Sequence, residues 1–315
     1  MNTVDTISQK KIPGKQLIKI RRNIWYYVCA LPGMICLAVF HYYPMYGAQI
    51  AFRDYKARRG ITGSKWIGWT NFERFFNMPN FQRILYNTIY ISVLKLIVST
   101  VCTILLALLF NELRNKKFKR TVQTISYLPH FISWIILAGI FREMLSPSRG
   151  IVNQIIQFFG GEPINFLASN DKFVGVLVLT ALWKGIGWST VVYLAAIAAI
   201  DQEQYEAAYI DGANRLQLAK YITLPSITPT IITLLGLNLG GVLNAGFDQI
   251  WNMYNVNVYA VADIIDTFVY RTGIESADYS YASAIGLFKG VVGMVLVVSS
   301  NAIVRSLTKG EQRIW

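Results

Sequence analysis

The sequence predicts an all-helical membrane protein with six transmembrane helices, and two observations lead to that fold class. Hydrophobic residues make up 54% of the 315 residues and charged residues only 15%, with a mean hydropathy of +0.38. This composition leaves too little polar surface to cover a water-soluble protein of this length. Six apolar runs are each long enough to cross a bilayer, which takes roughly 20 helical residues.

The six predicted spans are given by these runs. They cover residues 24–45, 84–110, 122–142, 173–200, 226–246 and 281–306. The first run follows six basic residues, as in a secretory signal peptide, but it is long and aromatic and reaches His41 and Pro44 without a small-residue cleavage site. We therefore predict one membrane domain over 24–306, flanked by a basic N-terminal segment (1–23) and a short tail (307–315).

Basic residues around the spans set the predicted orientation. An even number of spans puts both termini on one side, and Lys and Arg favour the cytoplasmic side. With the N-terminus inside, the inner segments hold 16 basic residues and the outer ones 11. Most of the outer charge lies in the loop 46–83, which conflicts with the rule. The short inner loop 111–120 holds five basic residues, and the rule is most reliable there, so we predict that both termini are cytoplasmic.

Other functional classes find little support in the sequence. The net charge of +13 suggests nucleic acid, but no basic run is interleaved with aromatic residues on a soluble platform, so no nucleic-acid partner is expected. Cys29, Cys36 and Cys102 lie in apolar runs and predict neither disulfides nor a CxxC metal site. His41 and His130 are isolated, so no metal site is predicted. We also expect no catalytic residues, because no paired carboxylates or Ser-His-Asp arrangement is visible.

The loop between the fourth and fifth spans (201–225) predicts two short helices that form a corner. Asp201 is suited to cap the first helix, with Gln204 in a capping box. Gly212 is expected to end or bend that helix, and the Leu-Pro pair at 224–225 to close the second. The sequence therefore predicts a rigid projection from the membrane surface.

Small and apolar residues in this loop indicate a surface that another protein binds. Ala207 and Ala208 allow a close backbone approach, while Ile210 and Leu224 supply apolar contact. A solvated amphipathic connector is the alternative, and the residues alone leave it open.

The segment EAAYIDGANRLQLAKYITLP resembles the EAA loop of bacterial ABC importer permeases, the inner-membrane components of binding-protein-dependent transport. That loop has EAA, then a glycine, then I-x-LP. The matching residues here are Glu206, Ala207, Ala208, Gly212, Ile222, Leu224 and Pro225. The segments YGAQIAFRDYKARRGITGSKWIGWTNFERFF, FDQIWNMYNVNVYAVADIIDTFVYRTG and YSYASAIGLFKG resemble the carbohydrate branch named for a lipoprotein-linked polysaccharide transporter. The likeness covers nearly the whole chain.

This resemblance implies a type I ABC importer permease fold in a bacterial plasma membrane, with the loop 201–225 as a cytoplasmic coupling helix whose seven matching residues contact an ATPase. It implies four kinds of partner. These are a second, related but different permease, two cytoplasmic ATPase subunits, an extracellular solute-binding protein and the lipid bilayer. The sequence contains no G-x-x-x-x-G-K-[ST] motif. ATP and Mg²⁺ are therefore expected in the ATPase subunits, with no cofactor and no enzymatic activity on this chain.

A substrate site is expected within the spans, because polar groups there are costly and usually face a cavity or another helix. The resemblance implies ligand contacts from the fourth and fifth spans. The candidate residues are Trp183, Gly185, Trp188, Asn238, Val242, Asn244 and Asp248. Helix packing is the alternative, since glycines spaced as at 236–240 and 286–290 commonly join helices.

Three lysines lie inside predicted spans: Lys95, Lys184 and Lys289. The sequence leaves open whether each snorkels, pairs with a carboxylate such as Asp248, or lines a pathway for an anionic sugar.

The function expected from all of this is import of an oligosaccharide or modified sugar. One alternative is an importer permease for a peptide or amino acid. Another is an ion-coupled carrier acting alone, which would need a coupling-ion site and inverted repeats that the sequence does not display. A membrane enzyme is the third and lacks a catalytic constellation.

Overall fold

Long apolar helices dominate the structure, a computed structural model that describes residues 22–307. Five helical segments are long and apolar enough to cross a membrane: Ile24–Phe52, Phe81–Glu112, Asn170–Ala198, Arg215–Leu239 and Tyr279–Ser306. A bent helix pair between residues 116 and 144 supplies the sixth. The predicted all-helical, multi-span fold class is thus confirmed. Most of the predicted N-terminal and C-terminal segments lie outside the described residues.

The first span is helix α1 (Ile24–Leu37), continued by a π-helical turn (Ala38–Tyr42), a single α-turn (Tyr43–Met45) and a 3₁₀ segment (Tyr46–Phe52). Pro44 has no N–H to donate, and the π-helical turn ends two residues before it. Every residue from 24 to 46 is exposed. This helix therefore contributes its whole surface to lipid or to another chain.

A small hairpin unit follows the first span. Strands β1 (Arg53–Asp54) and β2 (Lys65–Trp66) pair antiparallel, with a 3₁₀ turn (Ala57–Arg59) and a helical turn (Gly60–Gly63) between them. Helix α2 (Thr70–Phe76) comes next. Its inner side chains are buried, and the backbone N–H of Tyr55 donates to Ser280 Oγ at 2.8 Å. The hairpin is thereby fixed to the last span.

Helices α3 (Phe81–Glu112) and α7 (Asn170–Ala198) form the centre of the bundle and pack along each other. Their buried apolar residues include Ile91 on α3 and Phe173 and Leu177 on α7. Together they provide the frame against which the interrupted spans pack.

The third span is broken, so the predicted continuous helix over 122–142 is wrong. Helix α4 (Lys116–Tyr127) and a 3₁₀ turn (Leu128–Phe131) are followed by α5 (Trp134–Met144), with a bend of 103°. Pro129 lacks a backbone donor, and the Ser133 hydroxyl caps the new helix by accepting from the Ile136 N–H. Hydropathy alone carries no signal for such a break.

Helix α6 (Ile151–Phe158) lies in the connection to α7. Asn153 in this helix is buried, donating to the carbonyls of Leu145, Ser146 and Ile164 and accepting from the Ile164 N–H at 2.7 Å. The Asn153 side chain thus connects the segments on either side of α6.

The fifth span begins earlier than predicted. After α8 (Gln202–Ile210), helix α9 (Arg215–Leu218) continues through a π-helical turn (Ala219–Thr223) into α10 (Leu224–Leu239). The predicted closure at Leu224 and Pro225 is wrong, because the wider π turn accommodates the proline without ending the helix.

The chain between the fifth and sixth spans folds into short helices. They are α11 (Phe247–Met253), a 3₁₀ turn (Val256–Val258), α12 (Tyr259–Ala262), α13 (Ile265–Tyr270) and a π turn (Arg271–Glu275), before the last span α14 (Tyr279–Leu307). Ile250, Met253 and Ile264 are fully buried in one cluster with Ile91 and Phe173. This segment is therefore part of the core.

Two glycines of α7 make a matched pair for testing helix packing. A Cβ at Gly187 would lie 2.1 Å from the Ser126 carbonyl oxygen, whereas a Cβ at Gly185 would meet nothing within 4 Å. We expect Gly187→Ala to destabilise the protein by about 1–3 kcal/mol through overpacking. Gly185→Ala is expected to be neutral or slightly stabilising, because alanine favours helix. Thermal unfolding in detergent measures both; equal melting temperatures would contradict the packing.

Candidate coupling loop and membrane cavity

Helix α8 begins at Asp201, as predicted from the sequence. The Asp201 carboxylate accepts a hydrogen bond from the Glu203 N–H at 3.0 Å. The capping box forms at the start of the next helix, α9, and not at Gln204. There the side chains of Asn214 and Gln217 each accept a hydrogen bond from the other residue's backbone N–H. Sequence reasoning missed this second cap, although Asn-x-x-Gln has the required spacing.

Gly212 forms the corner between α8 and α9. Its φ is +79°, a left-handed conformation that strains residues with a Cβ. The Gly212 N–H donates to the Tyr209 carbonyl and the Ala213 N–H to the Ala208 carbonyl, at 3.1 and 2.9 Å. These two bonds constitute a Schellman motif, so the predicted helix end at Gly212 is confirmed.

The outer face of the corner combines one carboxylate with exposed apolar side chains. Ile210 is 87% exposed and Leu216 82%, and Tyr209 is also exposed. Glu206 and Ala207 lie exposed on the same helix. Apolar side chains this exposed beside a carboxylate are typical of a surface that another protein covers.

The inner face of the corner is fixed to the bundle. Ile222 and Leu224 pack against the buried cluster of Ala107 and Ile197. Both side chains therefore pack against the bundle, and both remain partly exposed. Of the other residues matching the EAA pattern, Ala208 is half-buried and Pro225 is exposed.

Two side-chain contacts connect the corner to the spans. The hydroxyls of Tyr205 and Thr223 are hydrogen-bonded at 2.9 Å, joining α8 to the π turn. Arg215 at the start of α9 forms an ion pair of 3.4 Å with Glu112 at the end of α3. The corner and three helices therefore form one connected unit.

A cavity of about 440 Å³ lies between α3, α7 and the end of the fifth span. Its polar lining residues are Ser92, Lys95, Ser99, Ser189, Asn238 and Asn244. A second cavity of about 230 Å³ shares Ser99, Ser189 and Asn238 and adds Trp188. The shared residues make the two cavities adjacent compartments of one polar region inside the bundle.

The structure brings together only some of the predicted substrate residues. Asn238, Val242 and Asn244 line the larger cavity and Trp188 the smaller one. The others are elsewhere: Trp183 packs edge-on against Phe141, Gly185 faces open space, and Asp248 lies in the first turn of α11.

Helix α3 supplies cavity residues that the sequence analysis did not select. Ser92, Lys95 and Ser99 follow i, i+3, i+7 spacing and share one helix face. That spacing was visible in the sequence. A polar face on one span does not show which helices it meets, so the signal was not decisive.

Lys95 is the centre of a buried polar network. Its ammonium group donates to the Ala245 carbonyl at 2.8 Å and to Gln249 Oε1 at 2.5 Å. The amide nitrogen of Gln249 donates to the Leu177 carbonyl and to Thr180 Oγ1, at 2.7 and 2.8 Å. The network joins α3, α7 and α11. Lys95 bonds Gln249 in α11, whereas the sequence suggested Asp248 as a partner.

The other two lysines have different partners. Lys184 donates to the carbonyls of Pro129, His130 and Ile132 at 3.3, 2.7 and 2.5 Å, at the break in the third span. Lys289 forms an ion pair with Asp266 at 2.5 Å and donates to Asn244 Oδ1 at 2.7 Å. Only Lys289 therefore pairs with a carboxylate.

A second ion pair stabilises the segment before α14. Arg271 contacts Asp263 at 2.6 Å, and the Asp263 side chain is nearly buried. Burial by itself disfavours the charged guanidinium, but the hydrogen bond and the charge of Asp263 outweigh it and raise the pKa of Arg271.

Comparison with known proteins identifies the class of protein. Residues 99–312 match the family described as binding-protein-dependent transport system inner membrane component. The match covers more than half of the chain, which therefore belongs to this family. The predicted ABC importer permease identity is confirmed, and the chain is a multi-pass permease subunit.

Particular relatives lie in the carbohydrate branch. The chain is 42% identical to the polygalacturonan/rhamnogalacturonan transport system permease protein YteP of Bacillus subtilis, over 99% of this chain and 97% of that one. It is 43% identical to LplB of the same species, over 91% and 90%. A crystal structure of a bacterial ABC transporter involved in the import of the acidic polysaccharide alginate has a TM-score of 0.86 and 40% identity, covering 93% of this chain and all of the other.

Gln249 provides a test of the buried network. It is 1% exposed, so Gln249→Leu removes its hydrogen bonds at nearly constant volume and leaves Lys95 without one acceptor. We expect a loss of about 2–4 kcal/mol, since buried polar groups would lack partners. The control is Gln154→Leu on the exposed face of α6, which should leave the melting temperature unchanged. A Gln249→Leu protein as stable as the wild type would disprove the importance of the network.

Proposed function

We propose that this chain is the permease subunit of an ATP-driven importer of oligosaccharides, and that the loop 201–225 couples it to separate ATPase subunits. The observation that carries the proposal is the rigid corner whose exposed face presents Glu206, Ile210 and Leu216. A surface of this kind gains stability when a partner covers it.

The corner is built to transmit force without deforming. The Schellman motif fixes its angle, and the Tyr205–Thr223 bond joins α8 to the fifth span. That span is helical from Arg215 to Leu239, so a displacement at the corner reaches Asn238 in the cavity. Closure of two ATPase subunits would thus become a rigid-body movement of the spans, giving alternating access.

Partner subunits supply what this chain lacks. ATP and Mg²⁺ belong to the ATPase subunits, since the sequence has no P-loop. A second permease would cover part of the exposed first span. A solved alginate ABC transporter is in complex with an alginate pentasaccharide-bound periplasmic protein, which supports delivery by a solute-binding protein here.

The cargo class rests on relatives and on the cavity lining. YteP is named for polygalacturonan and rhamnogalacturonan, and AraP of Bacillus subtilis, 27% identical over 308 residues, for arabinooligosaccharides. Hydroxyl and amide groups line the larger cavity, and Trp188, whose ring stacks on His130, is among the residues that line the smaller one. Polar groups beside an aromatic face suit a sugar ring.

The proposal also fixes the orientation and the domain organisation. With the corner on the cytoplasmic side, both chain termini are cytoplasmic and residues 24–306 form one domain in the bacterial plasma membrane. Import of radiolabelled oligosaccharide into proteoliposomes that hold ATP and the complete complex tests the function. Import by this subunit alone, driven by an ion gradient, would favour a secondary carrier.

Gly212→Pro tests the coupling loop. Proline cannot adopt a φ of +79° and has no N–H for the Tyr209 carbonyl, so the corner should lose its shape. We expect the assembled complex to hydrolyse ATP while importing at least tenfold less cargo per ATP. ATPase activity and uptake are measured on the same preparation.

Gly212→Asn is the matched control for this experiment. Asparagine tolerates the left-handed conformation and keeps the backbone donor, so coupling should remain within about twofold of the wild type. Normal import per ATP by an assembled Gly212→Pro complex would refute the role of the corner.

A further inference from the structure

The three lysines inside the bundle differ in how completely their charges are matched. An ammonium group has three N–H donors. Lys184 has three carbonyl acceptors, and Lys289 has the carboxylate of Asp266 with the Asn244 amide. Lys95 has two neutral acceptors, the Ala245 carbonyl and the Gln249 amide. One of its three N–H donors therefore has no acceptor among the described residues.

The remaining donor of Lys95 belongs to a residue that lines the larger cavity. Among the described residues lining that cavity, Lys95 is the only charged one. Ionisable residues inside membrane spans are costly, and they commonly mark the site of a substrate or ion. A neutral donor such as glutamine would suffice to bond the Ala245 carbonyl.

Ser92 provides a second, independent observation at the same place. It lies one helical turn before Lys95, is 7% exposed and lines the same cavity. Among the described residues its hydroxyl has no hydrogen-bond partner, whereas the Ser99 hydroxyl donates to the Leu96 carbonyl of its own helix. A buried hydroxyl without a partner costs free energy that a bound ligand would recover.

We propose that the Lys95 ammonium and the Ser92 hydroxyl form a subsite for a carboxylate of the cargo, which makes this permease selective for uronate-containing oligosaccharides. The subsite rests on the proposed import function and specifies its substrate class. A charge-assisted pair of hydrogen bonds to a carboxylate would satisfy both groups at once.

The opposite wall of the cavity suits the rest of such a sugar. Asn238 and Asn244 project from the end of the fifth span and the turn after it. The side-chain oxygen of Asn244 accepts a hydrogen bond from Lys289, so the side-chain nitrogen of Asn244 is left to donate to a sugar hydroxyl. The cavity volume of about 440 Å³ lies within the range of small-molecule sites.

Uptake of trigalacturonate and of its neutral methyl ester by the reconstituted complex tests the subsite. Both cargoes use the same solute-binding protein, so a change in their uptake ratio between variant and wild type reports on the permease. For Lys95→Gln we expect kcat/KM for the acid to fall about ten- to hundredfold, and for the ester to stay within about twofold. Ser92→Ala should lower the value for the acid about fivefold and leave that for the ester unchanged.

Two control variants separate charge recognition from structural support. Lys95→Arg keeps the charge and should keep the preference for the acid. Thr124→Ala removes a hydroxyl that is bonded within α4 and lies outside both cavities, so the uptake ratio should not change. Since Ser92 makes no hydrogen bond to the Lys95 network, Ser92→Ala remains informative even if Lys95→Gln fails to assemble.

Each other outcome overturns the proposal in a recognisable way. Equal losses of acid and ester uptake in Lys95→Gln would mean that Lys95 only supports the backbone. Unchanged uptake in both Lys95→Gln and Ser92→Ala would mean that neither residue contacts the cargo. A wild-type complex that imports only neutral oligosaccharides would refute the subsite and leave the import function standing. A complex that imports no oligosaccharide with ATP would refute the import function itself.

Discussion

The structure depends on one constraint: backbone polar groups at membrane depth must find partners within the protein. Two spans are interrupted, the third near Pro129 and the fifth after Leu239. In each case a lysine from a neighbouring span meets carbonyls that the helix no longer uses. Lys184 meets three carbonyls in the third span, and Lys95 meets the Ala245 carbonyl beyond the fifth. These cross-helix bonds allow irregular backbone inside a bundle.

The interruptions and the proposed function are connected. The turn after α10 leaves room beside α3 and α7 for a polar cavity, and the same helix runs back to the exposed corner at Gly212. Cargo contact and energy input would thus lie at the two ends of one span. Because the chain is helical from Arg215 to Leu239, a displacement of the corner would also displace the residues at the cavity.

Helix faces explain which predicted site residues came together. The corner at 201–225 was readable because caps and a glycine act over a few residues, and the cap at Asp201 and the helix end at Gly212 follow from local chemistry. The inward packing of Leu224 was not readable in the same way, because it depends on the cluster around Ile197. In the cavity, Asn238 and Trp188 were anticipated from their spans, whereas Ser92 and Lys95 belong to a helix that carried no motif.

The sequence by itself determined the membrane location, the approximate spans, the family and the corner, since hydropathy and short-range spacing specify these features. Tertiary structure decided which polar groups meet. Gly185 and Gly187 stand two residues apart in α7, yet only Gly187 lies against the Ser126 carbonyl. Lys184 and the carbonyls it bonds are more than 50 residues apart. Contacts of this kind depend on which helices become neighbours, and packing of the whole bundle fixes that choice.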